Sequence, residues 1–124
     1  MFMTAALKLS ISPDDSRALA RVRGRLRTWL SSVEASEPDD LVLAVDEAVA
    51  NAIEHGGAEV EVSAREEQGS VFFVVFDRGR WRPAGDYKWR GRGIAIMRAL
   101  VDDVQIEPSP SGTTVVLRRR VHLG

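Results

Sequence analysis

The sequence predicts an α+β fold: a two-layer α/β sandwich in which helices cover one face of a mixed, mostly antiparallel sheet. Two patterns along the chain lead to this prediction. Apolar residues recur with helical spacing in three segments, and five others show strand-like alternation or short apolar runs. The resulting order, β-α-α-β-β-loop-α-β-β, lacks the regular strand–helix alternation of a parallel sheet. We therefore expect the helices to lie together on one face.

The length and composition are those of one globular domain. The chain has 124 residues, of which 44% are hydrophobic and 28% charged, so we expect residues 1–124 to form a single domain. A net charge of −1 and a pI near 6.1 argue against direct nucleic-acid binding. The absence of cysteine excludes disulfides and thiolate metal sites. Without a secretory signal or a run of roughly 18 apolar residues, we expect a cytoplasmic protein with no membrane partner.

The first half predicts one strand followed by two helices. Residues Ala5–Ile11 alternate loosely and are predicted to form a strand. Ser12-Pro13-Asp14-Asp15 combines an N-cap residue, a proline and two acids, so a helix is predicted from Pro13 to Ser32. Pro38-Asp39-Asp40 repeats this start signal for a second helix, which Gly56-Gly57 ends. The residues predicted to face inward from the first helix are Ala18, Val22, Leu26, Trp29 and Leu30.

The second half predicts a hairpin, a long loop, a helix and two further strands. Residues 60–64 alternate between apolar and polar, and Gln68-Gly69-Ser70 forms the turn into the apolar run VFFVVFD at 71–77. Residues 78–93 are rich in Gly, Arg and Trp without a period and are predicted to form a loop, and loops of this length are usually functional or disordered. The remaining predicted elements are a helix at about 93–101 and strands at about 103–107 and 113–120.

The second helix carries polar residues that differ from ordinary surface charges. Glu47, Asn51 and His55 lie at i, i+4 and i+8, so a carboxylate, an amide and an imidazole share one stripe. The amide oxygen is a suitable ligand for Mg²⁺, and the carboxylate could accept a proton from a hydroxyl. Taken alone, the stripe fits either a binding site or a polar helix face.

Two further segments add candidate site residues. Asp77 ends a strongly apolar strand, where a carboxylate is costly unless a donor such as an exocyclic amine binds it. Gly79 would let a planar base approach the backbone, although Asp77 could equally be an aspartate that opens a turn. Gly91-Arg92-Gly93 directly precedes the predicted helix, where exposed N–H groups would favour an anion. The GxxxxGK[ST] spacing of a P-loop is absent.

Together these segments resemble the motifs of the GHKL (Bergerat-fold) ATP-binding superfamily. EAVANAIEHG, DRGRW, GRGIAIMRALVDDV and GTTVVLRRR occur in the order of its motifs. More narrowly, they are similar to the bacterial anti-sigma-factor serine kinases. The resemblance extends over about residues 5–121, and its four ordered motifs make it specific. It implies the Bergerat fold with ATP and Mg²⁺ as cofactors.

The resemblance also implies a role for each matching residue. Glu47 would be the general base that activates the serine hydroxyl of an anti-anti-sigma protein, and Asn51 would hold Mg²⁺. Asp77 would bind adenine N6, helped by Gly79 and by the hydroxyl of Thr113. Arg92 and the backbone of Gly91 and Gly93 would face the phosphates, and His55 would lie close to the phosphates or to the ATP lid, which is expected at residues 80–90.

The implied activity is that of an ATP-dependent serine protein kinase that is also an anti-sigma factor. It would bind a sigma factor, phosphorylate an anti-anti-sigma protein and regulate transcription by partner switching. One alternative is a nucleotide-responsive protein-binding switch of the same fold without kinase activity. Another is an ATPase switch like other Bergerat proteins. Only Glu47 separates the kinase from the switch, because Asn51 suits any Mg-ATP binder.

The strand at 71–77 raises a question of assembly. Its odd-numbered residues from Phe73 to Asp77 share the side that we expect the helices to cover. Phe72, Val74 and Phe76 therefore point the other way. Either loops or termini cover these three side chains, or they form a homodimer or partner interface.

Overall fold

The computed structural model describes residues 6–56, 59–78 and 88–121. Within them, three helices and five strands follow one another in the predicted order, which confirms the α+β fold. Among the described helices, none combines the length and the apolar composition that crossing a bilayer requires. The elements are β1 (Ala6–Ile11), α1 (Ala18–Ser32), α2 (Pro38–Gly56), β2 (Val60–Glu67), β3 (Ser70–Asp77), α3 (Lys88–Leu100), β4 (Asp103–Ser109) and β5 (Gly112–Arg120).

The strands form one five-stranded sheet in the order β1-β2-β3-β5-β4. All pairings between the described strands are antiparallel, so this part of the chain contains no parallel pair of the kind a mixed sheet would include. Gln68 and Gly69 join β2 to β3 with φ angles of 52° and 83°. A type I′ hairpin turn requires positive φ at both central positions, so this turn fixes the register of the two strands.

The helices cover one face of the sheet and enclose the core there. In β2, alternate residues from Val60 to Ala64 are buried, as predicted. All five residues predicted to face inward from α1 are buried as well. One of them, Trp29, presents its ring to the edge of Phe73 in β3, with centroids 6.0 Å apart. Full burial of a large apolar side chain stabilises the fold by about 1.5–3 kcal/mol, so this face carries much of the folding energy.

Helix α1 begins at Ala18 rather than at Pro13, so the predicted start was wrong. The N–H of Arg17 donates to Oδ1 of Asp15 at 2.9 Å, and the N–H of Ala18 donates to the backbone carbonyl of Asp15 at 3.1 Å. Arg21 adds an ion pair of 2.8 Å to the same carboxylate. The hydrogen bonds from the Arg17 backbone and the Arg21 side chain hold the pKa of Asp15 below its ordinary value. Asp15 therefore satisfies the donors at the helix start.

Helix α3 begins at Lys88 rather than at Gly93, which is the second error in the predicted boundaries. Its first turn, Lys88-Trp89-Arg90, contains no apolar repeat, so hydrophobic periodicity could not reveal it. The segment 91–93 consequently lies inside the helix and does not precede it.

Two arginines tie α2 to its neighbours. Arg23 of α1 donates from Nε and Nη2 to the two carboxylate oxygens of Asp46, at 3.0 and 3.2 Å. Arg119 of β5 donates to the carboxylate of Glu37 at 2.6 Å and lies 3.8 Å from that of Asp40. A forked guanidinium–carboxylate contact fixes orientation as well as distance. Helix α2 is therefore held near its middle by α1 and near its N-terminus by the sheet.

The face of the sheet away from the helices is partly apolar. Phe72 and Phe76 of β3 are half-buried there. The guanidinium of Arg65 lies 4.4 Å from the centroid of the Phe72 ring, and that of Arg78 lies 5.3 Å from the Phe76 ring. These are cation–π distances. Within the described residues, arginine side chains thus cover part of both rings.

Gly24, on the exposed side of α1, offers a test of this helix. A Cβ added there would meet nothing within 4 Å, and alanine is favoured over glycine in a helix interior by about 0.5–1 kcal/mol. We expect Gly24→Ala to raise the free energy of unfolding in urea by about this amount. Gly112→Ala is the control with the opposite sign, because at a φ of +146° its Cβ would overlap the backbone carbonyl of Asp77. A destabilised Gly24→Ala variant would contradict the environment described for Gly24.

Candidate functional site

Two of the predicted site residues meet helix α3 at one point. Glu47 and Asn51 are half-buried on α2 and face Gly93 of α3. A Cβ at Gly93 would lie 3.0 Å from Nδ2 and 3.3 Å from Oδ1 of Asn51, and 3.3 Å from Oε1 of Glu47. The carboxylate and the amide therefore converge where α3 has no side chain. Glu47 and Asn51 thus face another helix and do not simply form a solvated surface.

The structure gives Gly93 a different role from the one that the sequence predicted. The sequence placed segment 91–93 before a helix, as a source of free N–H groups. Because α3 starts at Lys88, the N–H groups that the helix leaves unpaired belong to its first turn, at 88–90. Gly93 instead provides the close approach between α3 and the polar side chains of α2. That role depends on the absence of a Cβ and not on an exposed donor.

Asp77 and Thr113 form the second part of the site. They lie directly opposite each other on β3 and β5 and are 5% and 4% exposed. Across the described residues, the only other buried polar or charged residue is Ser70. Directly opposed residues on antiparallel strands have Cβ atoms about 4.5–5.5 Å apart, so a hydroxyl and a carboxylate are paired on the helix-covered face. The two buried polar side chains therefore lie side by side at the end of the strand pair, as the assignment of both to one ligand requires.

Gly112 allows β5 to begin beside the end of β3. Its φ of +146° is one that residues with a side chain rarely adopt. A Cβ at this position would overlap the backbone carbonyl of Asp77 and lie 3.0 Å from Cα of Arg78. The glycine therefore brings Thr113 into register with Asp77. In the sequence, Gly112 is recognisable as the glycine that ends the turn PSPSG. Its contact with Asp77 was not predicted.

Both parts of the site lie at the same end of the sheet. Helix α2 ends at Gly56, and Val60, the first residue of β2, pairs with Asp77. Asn51 precedes the end of α2 by five residues, a rise of about 7.5 Å along the helix axis. The C-terminal half of α2 therefore runs toward the end of the sheet at which Asp77 and Thr113 lie.

Other predicted site residues are only partly described. His55 continues the α2 stripe one turn after Asn51, but its side chain lies outside the described part of the structure. The same holds for the side chain of Arg92 in α3, which also contains Gly91. Gly79 and lid residues 80–87 lie outside the described residues. Residues 88–90, predicted as the end of the lid, form the first turn of α3.

The family of the chain follows from its sequence profile. The profile of the histidine kinase-like ATPase domain matches residues 12–119, which is most of the chain. The chain belongs to this family. Its sequence is also 28% identical to the anti-sigma F factor of Clostridium acetobutylicum over 132 aligned positions that cover 91% of each chain.

Solved structures of the same fold agree with this assignment. A structure of the RsbU and RsbW domains of Rv1364c from Mycobacterium tuberculosis matches with a TM-score of 0.79 and 32% identity. The match covers 98% of this chain and 34% of the mycobacterial one, so this chain spans about a third of that protein. The blue-light activated histidine kinase EL346 of Erythrobacter litoralis matches with a TM-score of 0.56 and 25% identity, over 68% of this chain and 30% of that chain.

These matches confirm the resemblance to anti-sigma factors of the GHKL superfamily and the Bergerat fold. Membership of an ATPase domain family also implies that the chain binds ATP. The assignment of individual residues to the nucleotide stays a prediction. Its structural basis is the convergence of Glu47 and Asn51 at Gly93 and the pairing of Asp77 with Thr113.

Gly93→Ala tests whether the close approach of α2 and α3 matters for ATP. The added Cβ would displace the side chains of Asn51 and Glu47. We expect Mg-ATP affinity, measured by calorimetry, to fall by about tenfold, the loss expected when one hydrogen bond to a charged group is weakened. Gly24→Ala, the same substitution in open space, should leave affinity unchanged. A folded Gly93→Ala protein with unaltered affinity would show that the nucleotide does not depend on this geometry.

Proposed function

We propose that this protein is an ATP-dependent serine protein kinase and anti-sigma factor. It binds a sigma factor, phosphorylates a serine of an anti-anti-sigma protein and thereby regulates transcription. The observation that carries the proposal is the convergence of Glu47 and Asn51 at Gly93, because it sets a carboxylate beside a metal-binding amide. Similarity to the anti-sigma F factor and to a chain with an RsbW domain supports the choice of partners.

The adenine end of the proposed site lies on the sheet. The carboxylate of Asp77 accepts a hydrogen bond from adenine N6, and the Thr113 hydroxyl across the strand pair assists it. Gly79 allows the base to approach the backbone. The burial of both side chains and their direct opposition on β3 and β5 support the assignment of the two to one ligand.

The phosphate end lies between the helices. Asn51 supplies a neutral oxygen of the kind that Mg²⁺ accepts, and the absence of a side chain at Gly93 lets α3 lie close against it. The described residues gather no group of three His, Cys, Asp or Glu side chains for a metal. Phosphate oxygens and water would therefore complete the coordination, as is usual for Mg²⁺ bound with a nucleotide. His55, Gly91 and Arg92 are assigned to the phosphates with Gly93.

Mg-ATP supplies the phosphoryl group and the charge neutralisation for the reaction. Glu47 accepts the proton of the substrate serine while the serine Oγ forms a bond to the γ-phosphorus. The bond between that phosphorus and the bridging oxygen of ADP breaks, and ADP leaves with the electron pair. General-base assistance of this kind contributes about 10²- to 10⁴-fold. The phosphoserine then carries a charge of roughly −1.5 to −2, which weakens binding of the phosphorylated partner and frees the surface for the sigma factor.

Replacing Glu47 distinguishes a kinase from a nucleotide-responsive switch. We expect Glu47→Gln to reduce phosphate transfer from labelled Mg-ATP to the anti-anti-sigma protein by at least about 10²-fold. ATP affinity should change little, because Asn51 and Asp77 remain. Glu54→Gln is a matched control on an exposed position of the same helix. Undiminished transfer by Glu47→Gln would remove the role of this residue, and a wild-type protein that binds ATP but transfers no phosphate would favour the switch.

The helix-free face supports a homodimer as a further partner. Arg65, Arg118 and Asp103 share one cross-strand row with Phe72, whereas Glu61 and Glu107 share a row with Phe76 at the other end of the face, where Arg78 pairs with Glu61 at 3.3 Å. Val74 and Val116 lie between the rows. A two-fold axis along this central row would place Phe72 of one copy opposite Phe76 of a second copy. The aromatic side chains of this face, rather than its charges, therefore support a two-fold interface.

Polar substitutions on this face test the dimer. We expect the wild-type mass in solution to be twice the 13.7 kDa of one chain, and Phe72→Ser combined with Phe76→Ser to reduce it to that of one chain. Light scattering after size exclusion measures the mass, and circular dichroism confirms folding. Thr28→Ser, at an exposed position of α1 on the other side of the sheet, is the control. A folded double variant with unchanged mass would show that these rings do not form the interface.

A further inference from the structure

The solvent side of α2 carries an exposed leucine one helical turn before Glu47. Leu43 is 46% exposed, and no other large hydrophobic side chain in the described residues is exposed to this degree. Single exposed leucines are common, so exposure alone indicates little. The position is more informative: Leu43, Glu47 and Asn51 lie at i, i+4 and i+8. The proposed phosphate site therefore continues directly into an apolar surface.

Carboxylates surround this leucine. Four residues lie one helical turn before or after Leu43, at positions i−4, i−3, i+3 and i+4, and all four are acidic. They are Asp39, Asp40, Asp46 and Glu47. An apolar side chain within an acidic ring complements a partner segment in which an apolar residue is accompanied by basic ones.

Arginines neutralise only part of the ring. The arginines described above hold Asp46 closely and Asp40 at 3.8 Å. Asp39 is the most open of the four, with a side chain that is 85% exposed and 3.5 Å from Arg27. Water and salt screen a pair as exposed as this one, so it is weak. Asp39 is therefore held only loosely by Arg27 and stays accessible to a basic residue of a partner.

The spacing along α2 matches that of an extended polypeptide. Asp39, Leu43 and Glu47 succeed one another by four residues, a rise of about 6 Å per step along the helix. Two residues of an extended chain span about 6.6 Å, and alternate side chains point to the same side. An extended segment lying along α2 therefore presents every second side chain to successive positions of this stripe.

We infer that the Asp39–Leu43 face of α2 docks the acceptor segment of the protein substrate, which carries an apolar residue two positions from the serine and a lysine or arginine two positions beyond it. The inference rests on the proposed kinase function, since Glu47 fixes where the serine lies. The apolar residue covers Leu43, and the basic residue faces Asp39. The geometry allows either chain direction, with the apolar residue before or after the serine.

Short synthetic serine peptides test this docking directly. One pair carries leucine and lysine at the inferred spacing, before or after the serine. In matched peptides the leucine is moved by one residue, or the lysine is replaced by glutamate. We expect wild-type kcat/KM for one peptide of the first pair to exceed that of its shifted-leucine counterpart by about tenfold, the discrimination typical of one apolar contact.

Substitutions at Leu43 and Asp39 test whether these two residues cause the peptide preferences. Leu43→Ser should reduce the leucine preference to less than about twofold, whereas Leu43→Met should keep it, because methionine fills a similar volume. Asp39→Lys should reverse the preference between lysine and glutamate peptides. All three should bind Mg-ATP like the wild type, since neither position touches the nucleotide site. Gln105→Ser, on the opposite face of the sheet, is the control for a polar change at an exposed position.

The outcomes separate this inference from the function on which it rests. A wild type that phosphorylates its protein partner but none of the peptides would overturn the docking inference and leave the kinase standing. A wild type that transfers phosphate to no acceptor would remove both. A folded Leu43→Ser protein that keeps the leucine preference would also overturn the inference. A Leu43→Ser protein whose only change is its mass in solution would overturn the inference as well. Leu43 would then contact a second copy of the chain and not the substrate.

Discussion

Helix α2 is packed against several neighbours at once, and the rest of the molecule is arranged around this constraint. Every fourth residue from Ala44 to Ala52 is a buried alanine, which leaves room for close contact. The helix rests on β2 and β3, is tied to α1 by a forked arginine–aspartate contact and meets α3 at Gly93. Because so few orientations satisfy all of these contacts, the polar stripe of α2 is held by packing on regular elements, which position side chains more accurately than loops do.

The antiparallel sheet divides the molecule into two surfaces with different chemistry. On the helix-covered side, the buried pair Asp77 and Thr113 is a polar exception at the edge of an apolar core. In the proposed site, this pair contacts the adenine of ATP. On the other side, charged and aromatic side chains share the same cross-strand rows, and arginines lie over the aromatic rings. One side is therefore suited to a small polar ligand and the other to a large, flat partner.

Catalysis and substrate choice would share one helix. Glu47 lies where α2 faces α3, and Leu43 lies one turn earlier, where the stripe reaches solvent. Because both residues belong to one rigid helix, the distance between them is fixed. The contacts that orient Glu47 toward the phosphates would therefore also set the distance between the docked residue and the reacting hydroxyl. Correct register of the substrate then becomes part of the geometry on which phosphoryl transfer depends.

By itself, the sequence determined the order of the elements, the inward face of α1 and the residues of the polar stripe, because these depend on periodicity within a few turns. It also singled out Asp77, since a carboxylate at the end of an apolar strand is conspicuous. Only the tertiary structure decided that Gly93 faces Asn51, that Thr113 lies opposite Asp77 and that Leu43 is exposed. Each of these depends on how elements distant in sequence approach one another, which is set by strand register and by the combined side-chain volume between helices. Local periodicity in the sequence gives no information about strand register or about the side-chain volume between helices.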